Sequence, residues 1–356
     1  MTEQNFSYSG VPVLYSGKFD SLEKIIRDND YSRVFIITDK NCKKYCWPVL
    51  RKELSLLKKA EVIVIKGGER NKNWDNIERI TDILTDNNAD RKSLLVNLGG
   101  GIATDTGGFA AAIYKRGIDY VNIPTSLLGM VDAAIGSKTG VDFNAYKNQL
   151  GAIYHPKAVI VNPVFLQTLP FKDVMSGLAE TIKHSLTDGK AHYDLVRKNV
   201  AEFKLEPIII SSLQFKTSIV QQDLYEQNLR KVLNFGHTAG HAIETLLIER
   251  GEKVKHGECV VYGMVTALEL SRQVYKQKEN KWSEIIELLR KYYPVLPLKK
   301  QDLRKLLKIM KQDKKNVKGS YRFVLLKDIG SPEIGVPVDE KSVTRALEYA
   351  IETMKI

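Results

Sequence analysis

The chain has 356 residues, 43% of them hydrophobic and 27% charged, and a formal charge of +12. That balance excludes a disordered polymer and allows two packed domains, while no apolar run approaches the roughly 20 residues that cross a bilayer. The opening MTEQNFSYSG has neither the basic start nor the apolar core of an export signal, and the cysteines (Cys42, Cys46 and Cys259) do not form a disulfide framework or a paired zinc motif, so a cytoplasmic location is expected.

Up to about residue 162, short β-rich runs alternate with helical stretches. RVFIITD, EVIVIKGG, SLLVNLGGG, YVNIP and AVIVNP read as strands, and NWDNIERITDILTDNN between them has helical periodicity. The pattern predicts an α/β domain over 1–162 with a parallel-rich sheet covered by helices. Beyond NPVFLQTLP the strand signal fades. SSLQFKTSIVQQDLYEQNLRKVL and CVVYGMVTALELSRQVYKQ read as long helices, so 163–356 is expected to be mainly α-helical, with GSYRFVLLKDIG as a strand or hairpin near its end. LKKQDLRKLLKIMKQDKKNVKG sets lysines around Leu303, Leu306, Leu307 and Met310. A core-packing helix with a solvated face is the expected reading, a membrane- or partner-binding helix the alternative. A cleft between the halves is the natural place for a site.

The chemistry-bearing residues fall in order. GGGIATDTGGF follows a strand, and its side-chain-free positions let backbone N–H groups approach a phosphate at the start of the next helix. Gly99, Gly100 and Gly101 are consecutive, so the G-x-G-x-x-G fingerprint is not met and a tight turn is the plain alternative. Asp39 ends VFIITD, where a ribose hydroxyl is a suitable partner, and GGERNK sets Glu69 and Lys72 near another strand end. IPTSLLGMVDAAIGSKTGVDFNAYKNQLGA gathers Asp132, Lys138, Lys147 and Asn148, a set suited to a phosphate or polyhydroxylated anion unless the loop is merely solvated. GLAETIKH carries Glu180 and Lys183 on one helical turn, and FKTSIV carries Lys216. NLRKVLNFGHTAGH holds Arg230, Asn234, His237 and His241, and HGE holds His256. His237 and His241, at i and i+4, share a helix face and could share an ion, although an isolated pair of this kind is more often structural.

Taken together, GGGIATDTGGF, PTSLLGMVDAAIGSKTG, KNQLGA, GLAETIKH, LNFGHTAGHAIE and HGECV resemble the 3-dehydroquinate synthase family over nearly the whole chain. The resemblance implies an α/β domain with a parallel-rich sheet binding NAD, a helical domain holding a divalent metal (zinc, or cobalt), and a homodimer. It also implies a small sugar-phosphate substrate, with no nucleic-acid or membrane partner. It makes Glu180, His237 and His256 the metal ligands, one carboxylate and two imidazoles with positions left open for substrate. His241 then lies near the substrate phosphate rather than on the ion. Asp132, Lys138, Asn148, Lys183, Lys216, Arg230, Asn234 and Lys314 match substrate-pocket positions, and Arg116 and Lys147 match further active-site positions, some of them reaching across the dimer interface. Asp39, Glu69, Lys72, Gly100, Gly101, Asp105, Thr125 and Ser126 match positions around NAD, joined by Lys138 and Lys147.

The implied reaction belongs to the shikimate route to aromatic amino acids. 3-Deoxy-D-arabino-heptulosonate 7-phosphate is oxidised at C5, loses phosphate, is reduced again and closes by an intramolecular aldol step, so that NAD is not consumed. Ser137 stands where many relatives carry glycine, NAY precedes Lys147 where Pro-Leu-Gly is common, and Leu224 follows Asp223 where an acid is usual, but none of these removes an assigned residue. The interval between His241 and His256 is slightly longer than in some relatives. The nearest rival is a related cyclase acting on another ketose phosphate, such as sedoheptulose 7-phosphate. Lys216, Arg230, Asn234 and Lys314 keep the identities of the dehydroquinate family and weigh against it. A metal-dependent polyol dehydrogenase would not need the KTG…KN or GLAETIKH segments, and a scaffold on the same fold would have lost part of the metal or lysine set.

Overall fold

The computed structural model describes residues 3–144, 146–311 and 321–355. They divide into two units, Met1–Pro170 with Leu213–Tyr225, and Phe171–Ser212 with Glu226–Ile356. The first unit therefore extends past the expected limit at 162 and takes in a separate segment that carries Lys216.

In chain order the first unit contains β1 (Gln4–Tyr8), β2 (Val11–Tyr15), α1 (Asp20–Asp28), β3 (Arg33–Asp39), α2 (Lys40–Tyr45), α3 (Trp47–Glu53) and β4 (Glu61–Ile65). It continues with α4 (Trp74–Asp86), β5 (Ser93–Gly99), α5 (Gly101–Ile113), β6 (Asp119–Pro124), β7 (Lys138–Phe143), β8 (Tyr146–Ile153) and β9 (Ala158–Val161). Seven strands form one sheet in the order β1-β2-β9-β6-β5-β3-β4, in which only the β1–β2 pair is antiparallel. Every residue of β5 and β9 is buried, which explains their unbroken apolar reading: both faces of the sheet are covered there. On one face α4 lays down Ile77, Ile80 and Leu84, at i, i+3 and i+7, and with Phe35, Ile37, Ile63, Leu95 and Ala110 they form the core.

All five strands expected from the sequence are present as β3, β4, β5, β6 and β9. β1 and β2 add an edge hairpin that the sequence did not announce. The glycine-rich connection after β6 is also more ordered than a loop: it makes a π-helical turn at Gly129–Ala133 and then the separate β7–β8 hairpin.

The second unit comprises α6 (Phe171–Asp188), α7 (Lys190–Ala201), the first part of α8 (Leu205–Gln222), α9 (His237–Glu249), α10 (His256–Val274), α11 (Ser283–Tyr292), α12 (Leu303–Lys311), β10 (Tyr321–Leu326), β11 (Pro332–Val338) and α13 (Glu340–Thr353). It is the mainly helical half anticipated from the sequence. α10 is its axis: every residue from Gly257 to Ser271 is buried, with α9, α6 and α13 packed against it. α12 buries Leu303, Leu306 and Met310 while Leu307 is half-buried, so this lysine-rich helix is a core-packing one. GSYRFVLLKDIG supplies β10, which pairs antiparallel with β11. The helix expected to run on to Leu233 ends instead at Gln222, and after Glu226, at φ 57°, the chain re-forms only a short 3-10 turn over Leu229–Asn234. Among the described residues no helix is long and apolar enough to cross a membrane.

Candidate active site

In the first unit the residues expected around NAD gather at the carboxyl ends of β3, β4, β5 and β6. β4 lies on one side of β3 and β5 on the other, so the strand order reverses between β3 and β5. Open α/β sheets receive ligands at such a reversal. Asp39, at the end of β3, caps α2, its Oδ1 accepting the backbone N–H groups of Asn41 (2.7 Å) and Cys42 (3.0 Å). Gly100 is the cap of α5, directly after β5. A Cβ on Gly100 would stand 3.1 Å from Ser126 Oγ, and one on Gly101 would stand 3.0 Å from the Ala133 methyl. These bare positions let the segment after β6 close over the start of α5, and the Thr125 N–H donates to the Gly99 carbonyl at 3.0 Å. The amides at the start of a helix suit a phosphate.

A polar cluster adjoins this edge. The Lys72 ammonium is buried and donates to Asp105 Oδ2 (2.5 Å) and Asn148 Oδ1 (2.6 Å). Burial works to lower its pKa, but Asp105, with Glu69 and Asp142 behind it, outweighs that and raises it, so the lysine stays charged. The Lys147 ammonium lies 3.0 Å from Glu69 Oε1, and the Asn148 N–H donates to Asp142 Oδ1 at 2.7 Å. Lys216, on the part of α8 that belongs to this unit, is buried and paired with Asp132. Lys138 opens β7 and is exposed. Ser137, just before it, adopts φ 58°, the conformation in which a glycine is cheapest.

The second unit holds the metal-type cluster. α6 brings Glu180 and Lys183 together as an ion pair, their side chains 0% and 1% exposed. His237 is the first residue of α9 and His256 the first of α10, and the Nε2 atoms of both lie 3.5 Å from Glu180 Oε1. Their other ring nitrogens are occupied: His237 Nδ1 stands 3.1 Å from the Phe235 carbonyl oxygen, and His256 Nδ1 stands 3.0 Å from Glu244 Oε2. With the proton on Nδ1 in each ring, both Nε2 lone pairs face the same carboxylate, which is the donor set of a catalytic zinc site. Burial, reinforced by Lys183, pulls the pKa of His237 down to about 3. Burial pulls His256 the same way, but Glu244 and Glu180 outweigh it and bring that group up to about 10, so an ion bound at its Nε2 would take the place of a proton there.

Close helix approach makes this convergence possible. A Cβ on Gly257 would run into the Ser176 backbone of α6, and the Gly257 N–H donates to Ser176 Oγ at 2.9 Å. A Cβ on Gly263 would strike the Gly236 carbonyl at the start of α9. His241 completes a group of three imidazoles, its ring centroid 5.0 Å from that of His237 and 5.7 Å from that of His256. One nitrogen from each of the three falls within 4.8 Å of the others. The cluster therefore offers His241 as a candidate ligand beyond the three that the resemblance implies.

Among the described residues, Lys72, Lys183, Lys216 and Arg230 are the lysines and arginines that are buried, and all four belong to the set chosen from the sequence. Taking a cation out of water costs on the order of several kcal/mol, which an ion pair recovers only when its geometry is good, so such positions are kept where the charge is put to use. Asn234, on the turn before α9, donates its amide to Glu226. Neither Glu226 nor Glu244 is among the residues singled out from the sequence. Glu244 had a readable signal, since it stands seven residues after His237 on the same helical stripe. Arg116 is not brought to the other residues of its unit. It is exposed on the turn after α5, a helix of 13 residues, about 20 Å along from Gly100. Lys314 lies outside the described residues.

Residues 62–176 match the family described as 3-dehydroquinate synthase N-terminal, and residues 177–316 the one described as 3-dehydroquinate synthase C-terminal. The chain is 38% identical over 341 residues to 3-dehydroquinate synthase of Parabacteroides distasonis, covering 94% of this chain and 96% of the relative. It is 39% identical over 351 residues to the enzyme of that name from Leptospira interrogans, covering 96% of each. A solved structure of 2-deoxy-scyllo-inosose synthase with carbaglucose-6-phosphate, NAD+ and Co2+ shares the fold at a TM-score of 0.87 and 22% identity, over 98% of this chain and 99% of the other. 2-epi-5-epi-Valiolone synthase from Streptomyces hygroscopicus subsp. jinggangensis, with NAD+ and Zn2+ bound, is similar at a TM-score of 0.84 and 25% identity, over 99% of each chain. Matched through both of its parts and 38% identical to a relative along almost its full length, the chain belongs to the 3-dehydroquinate synthase family.

Proposed function

We propose that this chain converts 3-deoxy-D-arabino-heptulosonate 7-phosphate to 3-dehydroquinate and phosphate, the activity in the name of its relatives. The observation that carries the reading is the convergence of His237 Nε2 and His256 Nε2 on Glu180 Oε1, each at 3.5 Å, beside the buried Lys183. One carboxylate and two oriented imidazoles fit a divalent zinc or cobalt ion held by Glu180, His237 and His256. When bound, such an ion acidifies and orients vicinal hydroxyls of the substrate. Asp39, Gly100, Gly101, Thr125 and Ser126, with Glu69, Lys72, Asp105, Lys138 and Lys147, would hold NAD, which when bound supplies a hydride acceptor that is regenerated within the cycle.

The remaining residues bind and orient. Lys183, Lys216 and Arg230, taken out of water, offer charge to the phosphate and carboxylate of the substrate at greater strength than surface groups would. Asp132 keeps the Lys216 ammonium directed, and the side chains of Asn148 and Asn234 suit substrate hydroxyls. His241 stays off the ion and meets the substrate phosphate. Lys138, Lys147 and Lys314 complete the basic set. In this reading the enzyme is a cytoplasmic homodimer whose first unit binds NAD and whose second unit binds the metal and substrate, with Lys216 contributed by the first, and Arg116 acts on the partner's site. The test supplies the purified chain with NAD+, Zn2+ and either the heptulosonate phosphate or sedoheptulose 7-phosphate. Phosphate release with dehydroquinate formation from the first is expected. Turnover of the second alone would instead make the chain a cyclase for a different ketose phosphate.

A further inference from the structure

The buried carboxylates among the described residues are Glu180, Glu244, Glu258, Glu269 and Asp302. Three have structural duties. Glu258 accepts the Lys255 N–H at the start of α10, Glu269 is paired with Arg272, and Asp302 with Arg250. Glu180 belongs to the histidine cluster. Glu244 is the fifth, and its Oε2 lies 3.0 Å from His256 Nδ1. Along α9, His237, His241 and Glu244 fall at i, i+4 and i+7 on one stripe, so that helix supplies two imidazoles and one carboxylate to the same place.

The two ligand histidines are anchored differently. His237 leans on a neutral carbonyl, that of Phe235, two residues before it in the chain. His256 leans on a full charge carried by another helix. It stands at the first position of α10, with 24% of its side chain exposed, so its own helix fixes it only on one side. A carboxylate on Nδ1 selects the tautomer with the lone pair on Nε2, fixes the ring plane and makes Nε2 a stronger donor. It also offsets the positive end of the α10 dipole, which opposes a cation at that point.

We infer that Glu244 is the positioning carboxylate of the metal centre, holding His256 in the orientation and tautomer that bind the ion. The inference rests on the metal site proposed above. Its test strips the full-length chain and its Glu244→Ala, Glu244→Gln and His237→Ala variants with a chelator, then titrates each with Zn2+ against a competing indicator and with Co2+ by visible spectroscopy. Glu244→Ala should bind Zn2+ about 10- to 100-fold more weakly and alter the Co2+ spectrum. Glu244→Gln, which keeps the shape and an acceptor but not the charge, should lose about threefold or more. Affinity and spectrum unchanged in Glu244→Gln would overturn the inference, and that variant decides the matter if Glu244→Ala does not fold. Failure of the metal site itself has a different signature: the unsubstituted chain would bind Zn2+ no better than His237→Ala.

Discussion

His237 and His241 stand one turn apart on α9, edge to face. His237 has its Nδ1 on a backbone carbonyl and its Nε2 turned to Glu180, as His256 does from the start of α10. His237→Ala and His256→Ala should each abolish stoichiometric zinc in metal analysis of the purified protein. His241→Ala should keep its zinc and lose about 100-fold or more in kcat. Loss of metal in the His241 variant would make it the ligand that its 4.8 Å neighbourhood also allows. Much of this chemistry is legible in the chain: each of the four buried cations sits in a motif that marks it. Glu244 is only partly so: it closes the HTAGHAIE run on the stripe of His237 and His241. A glutamate at i+7 reads as an ordinary solvated position until the packing of α10 over α9 buries it.

α6, α9 and α10 reach each other through glycines, and their spacing sets where the ligands meet. Gly257→Ala would drive a methyl into the Ser176 backbone, where no flexible side chain can give way. We expect about 1–3 kcal/mol of destabilisation in denaturant titration, together with weaker zinc binding, because Glu180 and His256 ride on the two helices being pushed apart. A variant with full stability and full metal affinity would show that this contact does not set the site. The strands read most directly are β5 and β9, which are buried on both faces. The β7–β8 hairpin is hidden because Gly140 and Gly151 face each other across it, and side chains at either would strike the opposite backbone. Strand propensity is low where close backbone approach demands glycine. The early end of α8 is hidden because helical periodicity continues through DLYEQN, although the helix stops at Gln222, four residues before the left-handed Glu226.

At the scale of the whole molecule, the two units divide the work, one carrying the NAD-type strand edge and the other the histidine cluster. The return of Leu213–Tyr225 to the first unit brings Lys216 to Asp132, a non-local pairing that no local sequence pattern discloses. Arg116, at the opposite end of α5 from Gly100, has no role within its own unit that the described residues support. The proposed homodimer gives it one, and mixing tests it. Inactive Arg116→Ala and inactive His237→Ala chains, unfolded and refolded together, should regain about one quarter of the parent activity if the arginine serves the partner's site, and none if it serves its own. The reaction as a whole is redox-neutral, which separates it from that of a polyol dehydrogenase. The most direct measurement is therefore a stoichiometry: the metal-loaded enzyme with NAD+ far below the heptulosonate phosphate, following phosphate, dehydroquinate and NADH together. Many equivalents of phosphate and dehydroquinate are expected, one for one, with no accumulation of NADH. NADH growing in step with substrate consumed, or turnover that stops once NAD+ is used up, would contradict the proposed function.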